Sequence, residues 1–88
     1  MKFVIVDPAS FLEQSLFRED TFVSKVKEHN WDQYRDCKVL VRGCNSTVIP
    51  PWAFMLITAH LTGTAKSVRY GNEHDNITVY RLKDSAKL

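Results

Sequence analysis

The residues of this chain that are placed to do chemistry follow two predicted buried strands. Asp7 ends the apolar run of residues 3–6, and Gly43 stops a predicted strand over residues 38–42 that centres on the apolar residues 39–41. Ligands of open parallel sheets bind beyond the carboxyl ends of the strands. We therefore expect a candidate ligand site at this edge, built from the two strand ends and a later polar loop: Asp7, Gly43, Cys44, Asn45, Ser46, Thr47 and His74.

The turn at residues 43–47 also leads into a predicted helix. Unpaired N–H groups and the dipole at a helix start favour an anion, and Asn45, Ser46 and Thr47 could add amide and hydroxyl donors. The favoured interpretation is that these side chains cap the helix and close the turn. The alternative is a small-anion or metabolite site. Gly43 stands alone, without the glycine pattern of a phosphate loop or a dinucleotide-binding motif.

Catalysis and metal binding are the least favoured uses of these residues. Cys44 near a helix start and His74 could form a nucleophile pair, but free cysteines at strand ends are more often small buried apolar groups. Six residues separate Cys37 from Cys44, more than in a zinc knuckle, and His29 and His60 are scattered. We expect no metal, no cofactor and no catalytic residue.

Apolar periodicity predicts the elements that position these residues. Strands are expected at residues 3–6, 38–42, 67–70 and 77–82. Helices are expected from Asp20 or Thr21 to near Asn30, and from about Trp52 to Leu61 after Pro50 and Pro51; residues 9–19 are either a short helix or a packed loop.

This order predicts an α/β fold: a small three-to-four-stranded, mostly parallel sheet (β-α-β-α-β-β) with the helices packed on it. Right-handed crossovers keep the first three strands parallel. The polar loop at residues 71–76 favours an antiparallel hairpin for the last two. Residues 1–88 are expected to form one domain, with a frayed tail at residues 83–88.

Composition limits the partners and the compartment. Twelve Lys and Arg against ten Asp and Glu give a formal charge of +2, and the cations are spread along the chain without a run. This spacing disfavours nucleic acid. The longest apolar run, residues 48–57, is too short to span a membrane. A strand between Cys37 and Cys44 would hold them about 23 Å apart, too far for a disulfide. We expect a cytoplasmic protein with free thiols.

Several short motifs resemble one bacterial family. They are Trp31-x-x-Tyr34, Val41-Arg42-Gly43-Cys44, Pro50 with Trp52-Ala53-Phe54 and Leu61, Ala65-Lys66, and Tyr70-Gly71. Together they are similar to the domain of unknown function 2480. The resemblance implies two related halves in one chain, of which this sequence resembles a single half. It implies no activity, cofactor or catalytic residue.

The second helix is apolar over well over half its circumference, more than one sheet face covers. We expect this surface to form a homodimer through Phe54, Ile57 and Leu61. The alternative is that Trp31, Tyr34 and residues 11–17 cover the helix within the monomer. The sequence therefore favours an interaction or assembly module that self-associates, with the anion-binding domain as the alternative and an enzyme as the third choice.

Overall fold

The chain alternates strands and helices in the predicted order. The computed structural model describes residues 3–12, 14, 16–43 and 48–82. The strands are β1 (Val4–Val6), β2 (Lys38–Arg42), β3 (Ser67–Gly71) and β4 (Asn76–Arg81), and the helices are α1 (Glu19–Glu28) and α2 (Pro51–Leu61). Two short 3-10 turns, Pro8–Phe11 and Trp31–Tyr34, link β1 to α1 and α1 to β2. The first of these 3-10 turns covers the start of the segment, residues 9–19, that was expected to be a short helix or a packed loop. α1 begins at Glu19, before the expected cap at Asp20 or Thr21.

The four strands lie in the sheet in chain order, β1-β2-β3-β4. β1 pairs with β2 and β2 with β3 in parallel, whereas β3 and β4 form an antiparallel hairpin. A register shift interrupts the hairpin between Val68 and Arg69. The fold class and the strand directions expected from the sequence are confirmed.

Both helices pack on the same face of the sheet, because two right-handed crossovers between sequential parallel strands place them there. A single core joins the helices to the strand side chains of that face: Val6, Phe11, Phe22, Val26, Tyr34, Val39, Val41, Ala53, Ile57, Leu61, Ala65 and Val68. Side chains alternate along a strand, so Leu40 lies on the other face, beside Ile5 and Arg69 in the register. In the part of the chain that the structure describes, no helix covers that second face.

The rotational setting of α2 corrects one expectation. Ala53, Ile57 and Leu61 lie on the inner side of α2 and have no exposed surface. Ile57 and Leu61 are therefore buried within the chain, and neither is available to a partner. Phe54 is half-buried on the flank of α2 that faces β3, where its ring meets Tyr70 edge-on at 5.3 Å.

Aromatic side chains from the α1 region cover one flank of α2. The Trp52 ring lies 5.5 Å from Phe17 and 5.9 Å from Phe22. At the other end of the helix, His60 stacks on Trp31 at 5.2 Å with an interplanar angle of 12°. Cover within the monomer, the alternative weighed from the sequence, thus accounts for this flank of α2. These aromatic side chains do not cover the flank of α2 that faces β4.

His29 sits inside the same aromatic group. Its ring is edge-on to Phe11 at 5.0 Å and to Trp31 at 4.8 Å. Its Nε2 lies 2.7 Å from the Tyr34 hydroxyl, an arrangement suited to a neutral ring that accepts the hydroxyl hydrogen. Burial lowers the pKa of His29 below its ordinary value of 6.5. The folded chain therefore favours neutral His29.

We expect His29 to make the folded state less stable in mild acid. His29 of the unfolded chain takes up a proton near pH 6.5, and His29 of the folded chain does so only at lower pH. The stabilisation that neutral His29 gives to the folded state is therefore fully present above pH 6.5. It is lost as the pH falls through the lower folded pKa. Urea midpoints measured between pH 7.5 and pH 5 should drop less for His29→Gln than for the wild type. Equal drops in the two proteins would contradict the assignment.

Candidate functional site

The carboxyl ends of the three parallel strands meet at one edge of the sheet, as the sequence predicts. Asp7 follows β1, Gly43 follows β2 and Gly71 ends β3. The Asp7 carboxylate, however, caps the first 3-10 turn by accepting the N–H of Ala9 at 3.0 Å. Its position is thus accounted for by local chain geometry.

Gly43 is held by packing against β3. Its N–H donates to the Gly71 carbonyl at 2.9 Å, and a Cβ at position 43 would lie 2.7 Å from the Tyr70 ring. The ring therefore occupies the space next to Gly43. Close approach of an aromatic side chain explains the glycine without a ligand.

The turn proposed as an anion site lies mostly outside the described residues, namely Cys44, Asn45, Ser46 and Thr47. The start of α2 is described, and it is poor in donors. Pro50 and Pro51 carry no N–H, and the N–H of Ala53 donates to the Pro50 carbonyl at 3.0 Å. Trp52 is the remaining first-turn residue with a backbone donor. The helix start thus offers little of the backbone cradle that an anion needs.

His74 lies at the tip of the β3–β4 hairpin and is exposed. Asn72 shapes this tip, because its side-chain oxygen accepts the N–H groups of His74 and Asp75, each at 2.8 Å. Within the described ranges, no group of three or more His, Cys, Asp or Glu could hold a metal ion. Cys37 carries a free thiol.

The structure brings together a different set of residues, in a groove between α2 and β4. We call it the α2–β4 groove; its volume is about 540 Å³ and it is lined by Phe54, Met55, Thr58, Ala59, Thr62, Tyr70 and Val79. Met55 is 71% exposed and Val79 51%, and neighbouring Ile77 on β4 is 64% exposed. The groove is open because Ile77 and Val79 of β4 remain more than half exposed beside α2, whereas Tyr80 of the same strand packs against the core.

The two threonine hydroxyls that line the groove donate their hydrogens to backbone carbonyls and do not offer them to a ligand. The hydroxyl of Thr58 donates to the Phe54 carbonyl and that of Thr62 to the Ala59 carbonyl, each at 2.8 Å. Both hydrogens are therefore used inside the helix. Near Thr62, the N–H of Gly63 donates to the Tyr80 hydroxyl at 2.8 Å and connects the segment after α2 to β4. No lining residue carries a charge.

The sequence analysis identified the helix of this groove, although Ile57 and Leu61 are buried on its inner side, and it did not identify the strand. Phe54 was expected at the contact and does line the groove, whereas Met55, Tyr70 and Val79 were not expected there. A signal was present in β4, where Ile77 and Val79 alternate with polar residues on a last strand. Such a pattern predicts an apolar side that needs a cover.

Comparison with known proteins gives one match. The family model described as "Protein of unknown function (DUF2480)" matches residues 1–85. No curated protein matches the chain, and no solved structure does. Among the described residues, no helix has the length and apolar character needed to cross a membrane.

Proposed function

We propose that this chain, which belongs to the DUF2480 family of proteins of unknown function, is a self-associating module whose contact surface is the α2–β4 groove. One observation carries the proposal: a charge-free groove bordered by three apolar side chains, Met55, Ile77 and Val79, each more than half exposed. Single exposed apolar residues are normal, but a contiguous apolar patch marks an interaction site.

A second copy of the chain is the occupant that best suits this groove. A two-fold contact places the same patch on both sides, so the patch must be complementary to itself. Uncharged apolar side chains meet this requirement, because a two-fold contact between them brings no like charges together. Met55 adds adaptability, because its unbranched side chain fills irregular gaps. β4, an edge strand, lies beside the patch, so the contact can extend along it.

A contact of ordinary size sets how much of the chain's surface a dimer must bury. A standard interface buries about 800 Å² on each partner. This is roughly an eighth of the 6019 Å² of accessible surface on the described chain. The groove, its exposed rim and the adjoining edge strand are the surface on which that area would be found.

We expect the double variant Met55→Asp, Val79→Asp to convert a dimer into a monomer. Pairing would bring four carboxylates together in an apolar contact, where charge burial and like-charge repulsion oppose association. Sedimentation at high micromolar concentration should show dimeric wild type and monomeric variant, with the same far-ultraviolet circular dichroism. The anion-binding alternative makes no such prediction.

Val48→Asp is the matched control. Val48 is 87% exposed and is not among the residues that line the groove, so the same chemical change should leave the dimer intact. A wild-type chain that sediments as a monomer at high concentration would end the proposal. A dimer that survives the double variant would place the contact elsewhere.

A further inference from the structure

The sheet face that carries no helix in the described structure is basic. Strand register puts Lys38 and Arg42 of β2 and Arg69 of β3 on this face. Arg81 of β4 joins them because the register shift in the hairpin pairs it with Ser67. Arg42 is paired with Glu73 at 2.5 Å. The other cations of this face lie towards its opposite end, where β2 and β3 begin and β4 ends.

A groove lies at that end, which we call the basic groove. Its volume is about 340 Å³, and it is lined by Phe3, Lys38, Lys66, Ser67, Arg69, Arg81 and Leu82. Four of these seven residues are cationic and none is a carboxylate. In the register Lys38, Ser67 and Arg81 are neighbours across three strands, so the outer two Cα atoms are about 10 Å apart.

Arg69 is fixed in place at this groove by neutral groups. Its Nε donates to the side-chain oxygen of Asn76 and its Nη1 to the Thr78 hydroxyl. Its Cζ also lies 6.0 Å from the centroid of the Phe3 ring. A guanidinium has five N–H groups, and the two bonds orient it without neutralising its charge. A donor held in advance loses less entropy when it binds an anion.

We propose that the basic groove binds the phosphate group of a small anionic ligand, with Lys66, Arg69 and Arg81 as the cationic contacts. A phosphate ester carries close to two negative charges near neutral pH, which suits several cations better than a single carboxylate does. The volume fits a small molecule. The Arg42–Glu73 pair shortens the positive surface that an extended polyanion would need.

The test is a titration of the isotopically labelled full chain with inorganic phosphate, followed by nuclear magnetic resonance. Saturable shifts are expected at the amides of Ser67, Arg69 and Arg81. The variant Lys66→Gln, Arg81→Gln should weaken binding about tenfold or more, because hydrogen bonds to charged groups are lost. Both side chains are exposed, so the fold should be kept. Acetate at the same ionic strength should bind more weakly than phosphate.

Lys27→Gln provides the control, because it removes one exposed cation on α1, outside the groove. It should leave phosphate binding unchanged. An equal loss in this variant would show non-specific attraction and overturn the proposal, as would the absence of saturable shifts. A single-stranded oligothymidylate that binds where phosphate does not would also overturn it, in favour of a nucleic-acid surface. The proposal is independent of self-association and can be tested on the Met55→Asp, Val79→Asp variant.

Discussion

Replacing Leu61 with aspartate is expected to unfold the chain. Leu61 has no exposed surface and belongs to the core shared by both helices and the sheet. Truncation of a buried leucine to alanine alone costs about 2–5 kcal/mol, and an unpaired buried carboxylate adds a further desolvation cost. A small domain has only about 5–15 kcal/mol of stability in total, so the sum approaches or exceeds what is available.

Met55→Asp on the same helix is the matched control for Leu61→Asp. Met55 is 71% exposed, so the same carboxylate is placed in water and the helix should persist. Circular dichroism and urea titration should show a cooperative transition for Met55→Asp and none for Leu61→Asp. A wild-type transition in Leu61→Asp would contradict the inward setting of α2 and restore Leu61 as an interface residue.

Gly71→Ala is expected to have the second largest effect, a loss of about 3 kcal/mol or more from strain and overlap together. Gly71 has a φ of +138°, which side chains rarely adopt. A Cβ there would lie 2.3 Å from the backbone oxygen of Asp75 and 2.9 Å from the Cα of Asn76. Because both neighbours are backbone atoms, the overlap is relieved only if the hairpin opens.

Gly63→Ala separates strain from overlap. Gly63 also has a positive φ, +80°, but a Cβ there would meet nothing within 4 Å. Its cost should stay near the 1–2 kcal/mol of left-handed backbone alone. Urea unfolding of the two variants gives the comparison. Equal losses of unfolding free energy in the two variants would show that the overlap across the hairpin tip adds nothing to the cost of Gly71→Ala.

The chain order of the elements and the directions of the strands could be predicted because each rests on a local signal. Two apolar runs joined by a helical segment require a parallel crossover, and the short polar stretch before Ile77 requires a hairpin. The rotational setting of α2 has no such signal. When a helix is apolar on almost every side, periodicity cannot distinguish its inner from its outer face, so Ile57 and Leu61 were assigned to the wrong one.

The basic groove was not predicted from the sequence, for a different reason. Lys38, Lys66, Arg69 and Arg81 are spread over more than forty positions of the chain. Strand pairing and a two-residue alternation are both needed before they meet. The same spread, together with a formal charge of only +2, led to the expectation that nucleic acid is disfavoured as a partner. Charge clustering on a sheet depends on which strands pair and in what register, and the linear spacing of the cations contains neither.

The chain-ordered sheet has a consequence for how the protein folds. The paired positions Ser67 and Arg81 are 14 residues apart, Val39 and Val68 are 29 apart, and Val4 and Val39 are 35 apart. The entropy of loop closure rises slowly with length, by about 0.6 kcal/mol per doubling. The β3–β4 hairpin therefore has the lowest closure cost of the three strand pairings, and we expect it to form before β2 and then β1 add to its far side. This order of assembly leaves the free edge of β4 exposed from the earliest step.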